Sequence, residues 1–178
     1  LPKALSPTSA LDFMRCPRLF YETKVSKKVK SVGTEAKTKG TLAHAAFDKV
    51  FDLAPSRRTP AAAAGFVRPL WDEMRGQDEQ EAVAALPKRQ IDAMLKETEV
   101  AVRNWFNLED PKGFTPLDRE MTVEAALNRA PMRGIIDRVD DLGGGRVAIV
   151  DYKTGKQPPK KKFKEEALLP IRIYAAAM

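Results

Sequence analysis

The feature that most clearly suggests chemistry is an acid-x-Lys motif at the end of an apolar run. Asp151 and Lys153 follow the run 147–150, so an extended chain would place both side chains on one face. An acid at the end of such a strand is costly to desolvate unless a metal ion or a partner compensates its charge. Three other acid-x-Lys triplets lie where we expect loops or helix ends, and there we expect only solvated charges.

A second acid, Asp137, lies fourteen residues before Asp151 in another strand-like segment. If the glycines at 143–145 turn the chain in a symmetric hairpin, Asp137 and Asp151 fall opposite each other. Their mutual repulsion would then favour a hard divalent cation. The simpler alternative is that Asp137 only forms a surface ion pair with Arg133 or Arg138.

The other metal-binding residue types are scarce. The chain contains one cysteine, Cys16, and one histidine, His44. These counts exclude an internal disulfide and a zinc knuckle, so any metal must be bound mainly by oxygen, with at most one imidazole. His44 lies beside the apolar stripe of a predicted helix, where a structural role is the common alternative to metal binding.

Helical periodicity accounts for most of the chain before residue 107. The segment 24–39 is the exception, because it is polar and is expected to be a mobile loop. The apolar spacing predicts a short helix after Ser6 that is interrupted at Pro17, a long helix from Gly40, and further helices within 60–77 and 80–107.

Alternation of apolar and polar residues begins near residue 114 and predicts strands instead. We expect strands over 114–124, 132–140 and 146–153, with the last two forming the hairpin, and a final helix over 165–178. Helices followed by consecutive strands indicate an α+β fold.

In this order, the motifs resemble those of the RecB-like branch of the PD-(D/E)XK nuclease superfamily. Asp137 is similar to the acid of its second motif, and 151–155, Asp-Tyr-Lys-Thr-Gly, to its third. The segment 40–44, Gly-Thr-Leu-Ala-His, looks like the Gly-x-x-x-His that this branch carries on a helix. The opening Leu-Ser-Pro-Thr at 5–8 is similar to the N-terminal signature, and Glu120 occupies the place of a glutamate on the strand before the hairpin.

The resemblance implies a single nuclease domain over residues 1–178. Its fold would be a central mixed β-sheet of the restriction-endonuclease type, flanked by helices, with a hairpin that carries the active site. A helical insertion would occupy about 55–110, and the core sheet about 114–153. Because the chain stops inside an apolar run at Met178, we expect it to be cut from a longer protein just past its last motif.

The resemblance also implies a site that cleaves phosphodiesters. Asp137, Asp151 and Lys153 would be catalytic. Mg²⁺ or Mn²⁺ would be held by both aspartates, by the backbone carbonyl of Tyr152 and by His44, whose imidazole suits Mn²⁺ better than Mg²⁺. Lys153 would either orient the attacking water or stabilise the scissile phosphate.

Two further residues, Glu120 and Tyr174, are candidates for a supporting role or for a second metal ion. Tyr174 fits the closing Gln-x-x-x-Tyr motif, but Pro170 stands in place of the glutamine, whose role would be unfilled or taken by Arg172. Some family members bind an iron–sulphur cluster through one early and three late cysteines. Cys16 matches the early position, but the cluster cannot be built within this chain alone, and the alternative for Cys16 is a small buried side chain.

The net charge of +7 is unevenly distributed. Residues 1–50 and 151–178 are basic, whereas 51–150 is slightly acidic. The basic surplus could serve solubility alone, or it could bind the DNA backbone without sequence preference. On the second interpretation we expect the following residues to contact DNA: Lys27, Lys28, Lys30, Lys156, Lys160, Lys161, Lys162 and Arg172.

The leading hypothesis is a metal-dependent DNA nuclease. The family resemblance implies that it is exonuclease-like and acts in recombination or repair with a helicase partner. The alternative is a catalytically silent DNA-binding or scaffold module with the same fold. A sequence-specific endonuclease is disfavoured because no base-recognition element is apparent. No apolar run suits a membrane span and the N-terminus lacks the pattern of a signal peptide, so we expect a cytoplasmic protein.

Overall fold

The structure, a computed structural model, describes residues 2–29, 32–127, 130–155 and 161–178, apart from the side chains of 127, 161–164 and 166. The helices are α1 Pro7–Arg15, α2 Pro17–Phe20, α3 Glu35–Val50, α4 Pro60–Gly65, α5 Val67–Met74, α6 Glu81–Ala84, α7 Lys88–Trp105 and α8 Lys161–Ala177. The strands are β1 Asp118–Leu127, β2 Ala130–Gly143 and β3 Arg146–Val150. The predicted α+β class is confirmed. No described helix combines the length and the apolar content that a bilayer crossing requires.

The described residues fall into two compact units. The first, here called the strand unit, takes the described parts of Leu1–Ser31, Leu117–Asp151 and Lys156–Met178. The second, the helical unit, consists of Val32–Pro116 and Tyr152–Gly155. The predicted helical insertion at 55–110 lies inside the helical unit.

The strand unit is built on a three-stranded antiparallel sheet in the order β1-β2-β3. The parallel component expected of a mixed sheet is limited, among the described residues, to one bridge between Leu5 and Met132. All three glycines at 143–145 have positive φ angles between 63° and 75°, which glycine adopts without steric cost. This explains why the hairpin turns where the glycine run predicted.

The core of the strand unit lies where α8 packs against the sheet. Val123, Ile136, Val139 and Tyr174 are buried together, and Ile149 is packed against them. Apolar residues of the predicted strands and of the last helix thus form one buried cluster.

Helix α1 is attached to the sheet at its beginning. The backbone N–H of Leu5 donates to Pro131, and that of Arg133 donates to Leu5, both at 2.9 Å. The hydroxyl of Ser6 then caps α1 by accepting from the backbone N–H of Ser9 at 3.0 Å. The predicted interruption at Pro17 is confirmed, since α1 ends at Arg15 and α2 begins at Pro17.

Helix α3 provides the core of the helical unit. Its predicted apolar stripe is confirmed as buried: Leu42, Ala43, Ala46, Phe47, Val50 and Phe51. The predicted start at Gly40 is wrong, because the helix begins at Glu35. The hydroxyl of Thr34 caps it by accepting from the backbone N–H of Lys37, and Thr38 is buried against Gln80 with a 2.6 Å hydrogen bond. Long-range packing thus extends the helix into a segment whose composition predicted a loop.

The bounds of two strands also differ from prediction, because β1 begins at Asp118 rather than at residue 114 and β3 ends before residue 153. Strand β3 ends at Val150, so Asp151 and Lys153 lie beyond the strand rather than on its face. Lys37 and Lys39, expected in a loop, lie in α3 and form ion pairs of 3.4 and 2.8 Å with Glu79 and Glu97 respectively. These lysines stabilise contacts within the helical unit and are partly neutralised there.

Arg58 ties together two loops of the helical unit. Its side chain is only 4% exposed and donates to the carbonyls of Leu53 at 2.9 Å, Pro111 at 2.9 Å and Phe114 at 2.7 Å. The guanidinium also lies 5.1 Å above the ring of Phe51. A buried cation of this kind is tolerated because backbone dipoles satisfy its donors.

Arg58→Met should therefore lower the free energy of unfolding by about 3 kcal/mol, because it leaves buried carbonyls without a donor. The neighbouring Arg57 is exposed, and Arg57→Met should change stability by no more than about 0.5 kcal/mol. Urea unfolding of the two variants measures the difference, and equal stabilities would contradict the role assigned to Arg58.

Candidate active site

The pairing of β2 with β3 brings the two aspartates to the same level of the hairpin. Arg138 pairs with Val150, and Val139 with Ile149, so the next position in each direction is Asp137 and Asp151. This is the symmetric register that the spacing predicted. The irregularity in this pairing lies between Asp141 and Gly143, near the turn and away from both acids.

Both aspartates are half-buried, and the Oδ2 atom of Asp151 is excluded from solvent. Their charges act on one neighbour, Tyr174. The pKa of Tyr174 is raised above its ordinary value of 10.0, first by burial, then by the charges of Asp151 and Asp137. A hydrogen bond with the backbone of Ile135 acts in the opposite direction. Both carboxylates thus lie near enough to Tyr174 for their charges to disfavour its ionised form.

Tyr174 lies directly against the backbone of Gly134. A Cβ atom built on Gly134 would come within 2.3 Å of Cε1 of the tyrosine ring, closer than any real contact. Glycine is therefore required here for the ring to pack on β2. The sequence analysis did not predict this contact. The available signal was the glycine itself, because a glycine inside an apolar strand often marks a close approach of another group to the backbone.

Glu120 occupies a special position on β1. The pairs Arg119–Arg138 and Met121–Ile136 place Glu120 at the level of Asp137. Its φ angle is +48°, a left-handed conformation that is uncommon for a non-glycine residue. The side chain is exposed, and across the described ranges no three His, Cys, Asp or Glu side chains gather closely enough to hold a metal ion. A metal-binding role for Glu120 therefore stays a prediction.

The two arginines considered as partners of Asp137 each have another carboxylate. Arg138 is 3% exposed and donates through Nε and Nη2 to Oδ2 of Asp140, at 3.1 and 3.0 Å. Arg133 pairs at the surface with Glu124 at 3.5 Å. The Arg138–Asp140 pair was not anticipated, and it adds a buried ion pair to the strand that carries Asp137.

His44 and Tyr152 come together in the helical unit. The centroids of their rings are 5.8 Å apart in an edge-to-face arrangement. The Tyr152 ring also packs on Phe47 at 4.7 Å and on Trp105 at 5.9 Å. One turn before His44 on α3, a Cβ atom at Gly40 would touch the hydroxyl of Thr154 at 3.5 Å. The Gly-x-x-x-His helix is thus packed against the segment that follows Asp151.

The predicted site residues are divided between the two units. Asp137, Asp151, Glu120 and Tyr174 belong to the strand unit, whereas His44, Tyr152 and Lys153 belong to the helical unit. Lys153 has an exposed side chain. The roles of His44 and of Lys153 in the site stay predictions.

The expected DNA-binding residues are exposed where the structure describes them, namely at Lys27, Lys28 and Arg172. The others, Lys30, Lys156 and Lys160, lie outside the described residues, as do the side chains of Lys161 and Lys162 at the start of α8.

The expectation that Cys16 is a small buried side chain is wrong. Cys16 is exposed, and its Sγ accepts a long hydrogen bond of 3.5 Å from the backbone N–H of Leu19. The thiol caps α2 at the point where Pro17 starts the helix. Tyr174 is buried and belongs to the core of the strand unit.

Gly134→Ala should destabilise the protein by about 1–3 kcal/mol, because the new methyl group cannot fit beside the Tyr174 ring. Gly76 has no atom within 4 Å of a built Cβ, so Gly76→Ala is the matched control and should be nearly neutral. Urea unfolding compares them, and a Gly134→Ala protein as stable as Gly76→Ala would rule out the close ring contact.

Tyr174→Phe should alter the pH dependence of stability. The folded-state pKa of Tyr174 is raised, so its stabilising contribution is complete below pH 10.0 and is lost as the pH rises through the folded-state pKa. The free energy of unfolding of the wild type, measured with EDTA present, should therefore fall more steeply above pH 10.0 than that of Tyr174→Phe. Parallel curves from about pH 8 to 11 would contradict a raised pKa.

Comparison with known proteins agrees with the motifs and the fold. A model of the PD-(D/E)XK nuclease superfamily matches residues 4–178. An ATP-dependent helicase/deoxyribonuclease subunit from Streptococcus equi subsp. zooepidemicus (strain H70) is 29% identical over 130 residues, which are 70% of this chain and 11% of that protein. This chain therefore spans about a tenth of that relative's length. No solved structure gives a significant match.

The family model covers nearly the whole chain. The resemblance seen in the sequence is thereby confirmed: the chain belongs to the PD-(D/E)XK nuclease superfamily.

Proposed function

We propose that this chain is a divalent-metal-dependent deoxyribonuclease domain that hydrolyses DNA in an exonuclease-like manner. The observation that carries the proposal is the opposition of Asp137 and Asp151 on the β2–β3 hairpin, in a chain of a nuclease superfamily. Two half-buried carboxylates at one level repel each other unless a cation compensates them. Their charges add to the effect of burial in raising the pKa of Tyr174.

The donor atoms fit Mg²⁺ or Mn²⁺. Asp137 and Asp151 would hold the cation together with the backbone carbonyl of Tyr152, and water would complete a coordination shell of oxygen atoms. His44 would add an imidazole, which favours Mn²⁺. A bound divalent cation supplies activation of a water nucleophile and neutralisation of charge on the phosphate in the transition state.

The remaining roles belong to residues of this chain. Lys153 would place its ammonium group either on the attacking water or on a phosphate oxygen, and both positions suit a compact cation on a flexible stem. Glu120, at the level of Asp137, would act as a hydrogen-bond acceptor that orients water or a ligand near the site. Tyr174 supports the site from beneath, because it packs on the strand that carries Asp137.

The relative's name supports a working context for this domain. That protein is described as a helicase/deoxyribonuclease subunit, and we propose that this domain likewise acts beside a helicase, in recombination or repair in the cytoplasm. The helicase would unwind DNA and deliver strands. The basic residues named above would hold the backbone without reading the sequence, since phosphate contacts carry no base information.

A catalytically silent DNA-binding module is the second candidate. Pro170 lies inside α8 at the position where the family's closing motif has glutamine. A proline can neither donate a side-chain hydrogen bond nor complete the helical one. Loss of that contact would leave the fold and the DNA-binding surface intact while turnover is lost.

Asp151→Asn should lower the rate of Mg²⁺- or Mn²⁺-dependent degradation of linear DNA by on the order of 100-fold or more, because it removes a ligand charge. Asp118 is an exposed carboxylate on the same sheet, so Asp118→Asn is the matched control and should keep wild-type activity. Release of nucleotides from end-labelled DNA measures both. A wild type that is inert with both metals, on single- and double-stranded DNA, would refute catalysis.

Calorimetric titration of the same proteins with Mn²⁺ distinguishes the nuclease from the silent DNA-binding module. A nuclease should bind Mn²⁺ at the Asp137–Asp151 pair and lose that binding in Asp151→Asn. A silent module should bind DNA without binding Mn²⁺. Wild-type protein that fails to bind Mn²⁺ would remove the basis of the enzymatic proposal.

A further inference from the structure

The first two helices of the strand unit present large apolar side chains to solvent. Phe13 on α1 is 51% exposed and Leu19 on α2 is 54% exposed, and Tyr21, in the π-helical turn that directly follows α2, is 53% exposed. We call this surface the N-terminal platform, and it comprises Phe13, Met14, Arg15, Arg18, Leu19, Tyr21, Lys24, Lys27 and Lys28, all of which are exposed.

One row of the platform alternates a cation with an aromatic ring. Arg18, Tyr21 and Lys24 follow one another at three-residue steps through α2 and the π-helical turn Tyr21–Val25. Arg18 lies about one α-helical turn before Tyr21, and residues at that spacing are neighbours on a helix surface. Lys24 lies in the same π-helical turn as Tyr21, so a basic residue stands on each side of the ring along the chain.

A second aromatic ring is held in place beside this row. Phe13 packs edge-to-face on Phe20, with ring centroids 5.5 Å apart, and Phe20 is itself buried at 5% exposure. This contact fixes one edge of the Phe13 ring and leaves half of its surface in water. An exposed ring fixed in this way loses little conformational entropy when it stacks on a ligand.

The charge of the platform is complementary to a polyanion. Residues 13–29 contain five Lys or Arg and a single acid, Glu22. That acid is half-buried and accepts a 3.0 Å hydrogen bond from the hydroxyl of Ser26. The exposed charge of the segment is accordingly positive throughout.

The combination of exposed aromatic rings and cations favours single-stranded over double-stranded DNA as the polyanion. A DNA duplex hides the faces of its bases and offers mainly phosphates, so cations alone suffice to hold it. A single strand exposes base faces, on which aromatic side chains stack, next to phosphates that bind Lys and Arg. The rings at Phe13 and Tyr21 therefore favour the single strand.

The platform is structurally continuous with the strand that bears Asp137. Helix α1 starts directly after Leu5, which is hydrogen-bonded on both sides to β2 at Pro131 and Arg133. Helix α1 also packs against β2 and α8. A strand held on the platform is thus held by the same unit as the two aspartates.

We propose that the N-terminal platform binds single-stranded DNA, with Tyr21 and Phe13 stacking on bases and with Arg18 and Lys24 contacting the phosphates beside them. The proposal rests on the proposed function in that DNA is taken as the polyanion. It names the single strand as the form of DNA that the domain receives.

Fluorescence anisotropy with a labelled oligothymidylate in EDTA, using the full chain, tests the proposal without requiring cleavage. Tyr21→Leu keeps an apolar side chain but cannot stack, and it should weaken binding about 5- to 150-fold. Tyr21→Phe should bind within about twofold of the wild type, because the ring is retained. Leu108 is 85% exposed in the helical unit, and Leu108→Ala is the control that should leave binding unchanged.

The same variants are then measured with a blunt duplex and across a range of salt concentrations. Tyr21→Leu should affect duplex binding much less than single-strand binding, and Arg18→Gln should reduce the slope of log affinity against log salt by about 0.7. If Tyr21→Leu and the wild type bind oligothymidylate with equal affinity, the proposal is overturned. A protein partner would then be the remaining occupant of the surface. An equal loss on duplex and single strand would also overturn the proposal.

Photocrosslinking with oligonucleotides that carry 5-iododeoxyuridine gives an independent readout that needs no variant. The adduct should map to Tyr21 or Phe13, and adducts found only outside the platform would refute the proposal. The nuclease proposal and the platform proposal can fail separately. If the wild type has no nuclease activity, binding to the single strand should still depend on Tyr21. If the wild type is an active nuclease but Tyr21→Leu leaves its affinity for the single strand unchanged, only the platform proposal is refuted.

Discussion

The antiparallel pairing of β2 with β3 is the constraint on which the candidate site depends. Side chains alternate along a strand, so a slip of one residue would take Asp137 on β2 out of line with Asp151, which directly follows β3. The register is held by a turn of three glycines with positive φ and by apolar pairs such as Val139 with Ile149. The pairing irregularity falls between Asp141 and Gly143, where it leaves the opposition of the two acids undisturbed.

The packing of α8 on the sheet brings Tyr174 close to both acids. Tyr174 is buried against the strand because Gly134 offers no side chain. Burial in an apolar core lowers the local dielectric response, so the charges of Asp137 and Asp151 act more strongly on their neighbours than they would in water. The pKa of Tyr174 is raised first by its burial and then by the charges of Asp151 and Asp137. The core contact and the electrostatics at the tyrosine are thus two consequences of one packing arrangement.

The Asp-x-Lys motif is supported from two sides along the chain. Before Asp151, β3 fixes the backbone within the strand unit. Directly after it, the ring of Tyr152 is embedded between Phe47, Trp105 and His44 in the helical unit. A residue of this motif that would seem a mere spacer is therefore the best-packed member of it, with 9% of its surface exposed. Aromatic burial of that extent is the kind of contact that dominates core energetics.

The sequence by itself determined the strands, the glycine turn, the register that opposes Asp137 and Asp151, the buried stripe of α3 and the family. Each of these follows from local periodicity or from motif spacing, which the chain encodes without reference to distant segments. Tertiary structure decided the start of α3, where Thr38 is buried against Gln80, and the contact of Gly134 with Tyr174, forty residues apart. It also decided that Tyr21 and Cys16 face water. Periodicity identifies an apolar residue, but burial depends on which distant surface packs against it, and that information is absent from any local window.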